Sequence, residues 1–206
     1  EELGELINAG KAYKAAGRLP DAARMAVALK RPAEAARLLL QAGEFLQAAP
    51  LFAAAGRLEE AGSAAYRGGD VAGCIGYLEV AGDYLAMAHV YLSYGRREEA
   101  KERLRRAKQS QSDYVQCREV LALAELEDNA SAAALAAYAE LIEYAAATQL
   151  VPDEQVRRWL VARFELYVGR SEIELAMAEL ERCRELGLMT HDIDLRVRQL
   201  QPRVEE

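Results

Sequence analysis

The chain is poor in the residues that carry chemistry. It has only two histidines, His89 and His191, far apart in sequence, and three cysteines, Cys74, Cys117 and Cys183, with no C-x-x-C pair. An active site or zinc centre needs several such groups converging. No H-E-x-x-H, phosphate-loop or G-x-S-x-G pattern is present either. Proline occurs five times and aromatic residues make up 7%. The β-branched, turn-punctuated runs that mark strands are missing, which argues against a sheet. No apolar run approaches the roughly 18 residues of a membrane span, and no stretch has the layout of a signal peptide. A net charge of -7 argues against generic nucleic-acid binding, which needs a broad basic face. An odd number of scattered cysteines fits a reducing, cytoplasmic location.

What is present is a composition of 52% hydrophobic and 29% charged residues, ordinary for a folded chain of 206 residues. It is rich in the strong helix formers Ala, Leu, Arg and Glu, so the expected class is all-α. The phrase AGRLPDAARMA at 16–26 returns as AGRLEEAGSAA at 55–65 and YGRREEAKERL at 94–104, 39 residues apart each time. Beneath that echo lies a shorter period of 13: Gly4, Gly17, Gly43, Gly56, Gly69, Gly82 and Gly95 all fall on it, with Lys30 at the missing mark. Repeats of this kind dictate architecture.

Each of the eight units is mostly apolar or small at positions 3, 6, 7, 10 and 13, one stripe along a helix. Position 6 is Ala in six of the eight, and otherwise Cys74 or Met87, which lets helices approach closely. Position 2 is always charged: Glu5, Arg18, Arg31, Glu44, Arg57, Asp70, Asp83 and Arg96. A unit therefore predicts one amphipathic helix of about ten residues, roughly 15 Å long. Glycine at position 1 is expected in the left-handed conformation that ends a helix. Pro20 and Pro32 suit a first helical turn, whereas Pro50 lies mid-unit and is expected to bend or shorten its helix. Helices this short persist only by covering one another's stripes, so the pattern predicts an α-solenoid of stacked antiparallel helices.

The expected organisation is a short-helix region over 1–107, a polar connector over 108–112, and a region of longer helices over 113–206. In the last, helices are predicted at 113–127, 130–148, 153–168, 172–186 and 193–201. Pro152 opens the third of these, and Ser171 with Glu174 forms a capping-box pattern. All three cysteines fall on apolar faces and read as buried, inert thiols.

The segment 84–107 resembles a tetratricopeptide repeat, with Tyr84, Met87, Ala88 and Tyr91 on a first helix and Gly95, Ala100, Leu104 and Ala107 on a second. Weaker echoes begin at Leu6 and Phe45. The last pair of helices is similar around Tyr167, Ala176 and Leu180, with Cys183 where the family usually has alanine. The "AGR-x-x-x-A" phrasing of the first half resembles the short-helix solenoid arms of clathrin heavy chain, coatomer and intraflagellar-transport subunits. These resemblances imply a right-handed solenoid that binds proteins.

The expected function is accordingly a non-catalytic scaffold or adaptor that binds partner proteins or peptides, with no cofactor and no metal. Thr190 or Asp192 as a helix cap accounts for the "THDID" stretch, in preference to a metal held by His191, Asp192 and Asp194. In "GGDVAGCIG" the period explains Gly69, and Gly73 and Gly76 read as close-packing or weak-helix positions. Candidate contact residues are Lys11, Lys14, Arg18, Arg31, Arg57 and His89 in polar columns, with Arg96, Arg97, Lys101 and Arg105 in the stretch 96–108, where seven cations face three carboxylates. That basic stretch suits an acidic partner segment. Uncovered solenoid ends could pair into a homodimer. The alternatives are a ligand- or peptide-sensing regulatory module of a larger protein, or an arm of a coat or transport complex.

Overall fold

The computed structural model describes residues 2–190 together with Ile193 and Leu195. The helix expected over 193–201 otherwise lies outside them. Regular structure among the described residues is helical throughout: α1 (Glu2–Ala15), α2 (Leu19–Ala28), α3 (Pro32–Ala42), α4 (Phe45–Ala54), α5 (Leu58–Arg67), α6 (Val71–Ala81), α7 (Tyr84–Ser93), α8 (Arg97–Arg105), α9 (Tyr114–Glu127), α10 (Ser131–Thr148), α11 (Asp153–Gly169) and α12 (Ile173–Glu185). The chain forms two compact units, Glu1–Ala100 and Lys101–Glu206.

In the first unit the period of 13 is a period of turns. Gly17, Gly43, Gly56, Gly69, Gly82 and Gly95 have φ between 70° and 82°, and Lys30 takes the same left-handed region at 55°. Gly4 is the exception, because α1 runs through it. The residue after each mark serves two helices at once. Arg57 donates its backbone N–H to the Phe52 carbonyl at 2.9 Å, closing α4, while its own carbonyl accepts from Ala61 N–H at 3.0 Å, opening α5. The pattern recurs at Arg18, Arg31, Glu44, Asp70, Asp83 and Arg96. Helix ends are thereby satisfied without any extra loop.

The charged side chain at this position fastens the turn. Arg18 reaches three residues forward to Asp21 (2.7 Å) and lies 4.8 Å over the Tyr13 ring behind it. Arg96 does the same with Glu99 (2.9 Å) and Tyr91 (4.8 Å), and Arg57 with Glu60 and Phe52. Arg31 meets Glu34 at 3.4 Å. Asp70 and Asp83 cap the next helix instead, accepting from Gly73 N–H (2.8 Å) and Ala86 N–H (2.9 Å). A Cβ on Gly73 would fall 2.2 Å from the Asp70 carboxylate, so that glycine makes room for its own cap. Gly76 has open space around it and packs against nothing.

Lys30 is the weak mark. A side chain in the left-handed region costs roughly 1–2 kcal/mol, only partly offset by glycine's larger entropy when unfolded. Lys30→Gly is expected to stabilise the protein by about 1 kcal/mol, read as a higher urea midpoint; a lower midpoint would show that this turn is unstrained.

Between the turns, the small seam at positions 6 and 7 forms the core. Ala22, Ala23, Ala35, Ala36, Ala48, Ala49, Ala61 and Gly62 are buried, with Leu39, Phe52, Leu78 and Met87 filling the space between helices. Consecutive helices contact one another from α1 to α7. Alternate helices also meet: Tyr66 at the end of α5 and Ser93 at the end of α7 bring their hydroxyl oxygens within 3.3 Å. The structural period is therefore two turns, with odd and even helices in separate layers. The 39-residue echo falls on α2 and α5, in opposite layers, because what it repeats is the arginine–carboxylate turn, needed wherever a helix starts.

Pro20 and Pro32 occupy first turns as expected. Pro50 does not shorten its helix: α4 keeps ten residues through it. Pro50 itself is exposed, on the side that borders the groove toward α2.

The second unit stacks α9 on α10, α10 on α11 and α11 on α12. Its stripes are the expected ones, with Tyr114, Cys117, Leu121, Ala124, Trp159, Leu160, Phe164, Ala176 and Leu180 buried. The turn outlives the glycine. Asn129 (φ 58°) and Ser171 (φ 61°) take the left-handed position, and the residues after them repeat the double bonding, as in Glu172 N–H to the Tyr167 carbonyl at 2.9 Å. Ser171 is thus not the cap of a capping box. It ends α11, and Glu172 begins α12 without a side-chain cap bond.

Candidate functional site

Four of the candidate contact residues, Arg18, Arg31, Arg57 and Arg96, are the turn fasteners just described, so part of their charge is already met within the chain. The basic stretch around α8 is engaged more deeply. Lys101 is buried, with its ammonium 3.2 Å from Glu125 Oε2 and 2.6 Å from Asp128 Oδ2. Arg105 pairs with the other oxygen of Glu125, and Arg106 with Glu102 at 2.6 Å. Lys101 accordingly offers no surface to a partner. Its position is the seam column, occupied by Ala or Gly in most other units, and a lysine placed there needs a carboxylate at its ammonium. Glu125, buried, and Asp128, partly exposed, answer that need; the signal that could have found them is a charge in a column of small residues. Arg97 and His89 are exposed, on α8 and α7.

Lys11 and Lys14 come together with Arg31 in a groove of about 160 Å³ whose walls are α1 and α3 and whose floor is the Met25–Leu29 side of α2. Among the described residues neither lysine has an ion pair. A larger groove of about 570 Å³ separates α2 from α4, lined by Pro20, Val27, Pro50 and Leu51 with Arg24, Glu44 and Gln47 at its edges. Within the second unit, Ile142, Val156 and Leu188 line a cavity of about 350 Å³ edged by Asp153 and Arg182.

Among the described residues, no three His, Cys, Asp or Glu side chains come together as metal ligands. His191, Asp192 and Asp194 lie outside the described residues. No described helix is long and apolar enough to cross a membrane. All three cysteines are buried. Burial, with Glu179 nearby, pushes the Cys183 thiol up to about 11, and burial followed by the Asp70 charge also raises Cys74. Since the thiolate is the reactive form, a disulfide reagent at pH 8 is expected to titrate no thiol quickly in the folded protein and three after denaturation. One fast native thiol would show that a helix face opens.

The sequence matches no family model and no curated protein. Similar solved structures include BtubC (BKLC) from P. vanneervenii, 10% identical over 89% of this chain and 88% of that chain with a TM-score of 0.45. MamA protein is 16% identical over 89% of this chain and 90% of that chain, with a TM-score of 0.44. The helix contacts within each unit carry the fold: helices stacked on their neighbours in chain order, as in an α-solenoid.

Proposed function

We propose that the chain is a non-catalytic, cytoplasmic scaffold that binds partner proteins or peptides in the grooves between alternate helices of its solenoid. The observation that carries this reading is the open groove between α2 and α4. It pairs an apolar floor, including Val27 at 48% exposure, with charged and amide groups at its edges. Apolar anchors with a polar rim are what peptide and protein partners use. The ten-residue helices of the first unit support a second reading of the same surface, as an arm of a coat or transport complex. The test is affinity capture from native lysate followed by binding of each captured protein, purified, to the whole chain. At least one is expected to bind directly and to lose tenfold or more in affinity on Val27→Arg, with helix content unchanged. Direct binding by none of them would overturn the scaffold reading.

A further inference from the structure

We infer that the groove between α1 and α3 is a docking site for an acidic peptide segment with an apolar anchor, an assignment that rests on the scaffold reading and adds its partner chemistry. The first support is charge. The three helices around it, residues 2–43, hold seven cations and four carboxylates, net +3, inside a chain of net -7. Of these, Asp21 is spoken for by Arg18 and Arg24 and Glu34 by Arg31, and Glu5 does not line the groove. Lys11, Lys14, Lys30 and Arg37 have no carboxylate partner among the described residues. The stretch 96–108 is also basic, but Lys101 and Arg105 there are consumed by Glu125 and Asp128.

The second support is geometry. Ile7, Lys11 and Lys14 follow one face of α1, opposite Arg31 and Glu34 on the α3 side, so three cations and one carboxylate border the same groove. Between them the floor is apolar, with Met25 and Leu29. At 160 Å³ the groove is well below the roughly 300–1,000 Å³ of small-ligand sites and suits one or two side chains. From Ile7 to Lys14 the helix rises roughly 10 Å, the span of about three extended residues. A segment of that length that sets one apolar side chain on the floor can carry carboxylates to the lysines on the α1 wall. An apolar floor is of no use to a phosphate backbone, which favours peptide over nucleic acid.

The test uses the whole chain and a fluorescein-labelled twelve-residue peptide repeating Asp-Leu-Glu, followed by fluorescence anisotropy at low and physiological salt. The peptide is expected to bind at least tenfold tighter than its Asn-Leu-Gln counterpart, and to weaken at least tenfold on Lys11→Glu or Lys14→Glu. Arg158→Glu, an equal charge change at an exposed position of α11, should leave binding within twofold. Helix content by circular dichroism should match the parent in all three variants. Equal binding of the amide peptide, or no loss on either lysine change, overturns the assignment. So does tighter, Lys14-dependent binding of phosphatidylserine vesicles or a single-stranded oligonucleotide. Capture of a Val27-dependent partner would still stand in those cases, separating failure of this groove from failure of the scaffold reading.

Discussion

Glu125→Ala is expected to destabilise the protein by about 3 kcal/mol, at the lower end of the roughly 3–5 kcal/mol for breaking a buried ion pair. Glu125 is 3% exposed and Lys101 4%, so water cannot replace either partner. The cost stays near the lower end because Asp128 still reaches the Lys101 ammonium at 2.6 Å, while Arg105, half exposed, can turn to solvent. Replacing the pair together, Lys101→Met with Glu125→Leu, should recover most of the loss, because two apolar side chains of similar size carry no desolvation cost. Urea denaturation followed by circular dichroism measures both. A loss below 1 kcal/mol for Glu125→Ala, or a double variant worse than the single, would show that the cluster is hydrated and contributes little.

Trp159→Ala is expected to cost about 3–5 kcal/mol, the usual range for deleting a large buried ring. Trp159 is 3% exposed, and its indole N–H donates to Glu119 Oε1 at 2.8 Å. Gln155 donates to the same oxygen at 2.9 Å, so Glu119 keeps a partner when the indole is lost, and the cost is mainly that of the cavity. Trp159→Phe fills most of that space and should lose only about 1 kcal/mol, the worth of one hydrogen bond. Trp159 is also the sole tryptophan, so its fluorescence in the parent reports unfolding of the second unit without interference from the first. A small loss for the alanine variant would mean that α11 collapses onto its neighbours around the vacancy.

Helix spacing in the first unit was legible because both ends of each short helix are written in local chemistry. Glycine at a left-handed turn and a charged residue after it are determined by backbone sterics and by bonds to residues three to five away. The same holds for the apolar stripes of α9 to α12, whose expected limits at 113–127, 130–148, 153–168 and 172–186 agree with the observed ones to a residue or so. The errors arose where a local signal served a different local need. Ser171 carries the letters of a cap, but α11 requires a left-handed terminator first, and one residue cannot hold both backbone conformations. Pro50 removes one backbone donor, a signal for a shortened helix, but α4 still runs its full ten residues through it.

The candidate site was less legible. Arg18, Arg31, Arg57 and Arg96 looked like a surface row because every unit exposes a charge after its glycine, but each charge has a turn to fasten. Lys101 looked available because its stretch is basic, and only folding brings Glu125 and Asp128, distant in sequence, onto its ammonium. Lys11, Lys14 and Arg31 lie on different helices, and nothing in their spacing says that they border one groove.

By itself the sequence determined that this chain is helical, how long its helices are, where each turns and which side of each is apolar, since all of these follow from interactions within a few residues. Tertiary structure decided that the repeat is counted in pairs of helices and not in threes, which charges cancel inside the protein, and which remain to face a partner. Those outcomes depend on contacts between residues distant in sequence, on consecutive helices for Lys101 and Glu125 and on alternate ones for Tyr66 and Ser93, and a stripe that recurs in every unit carries no information about which neighbour will cover it.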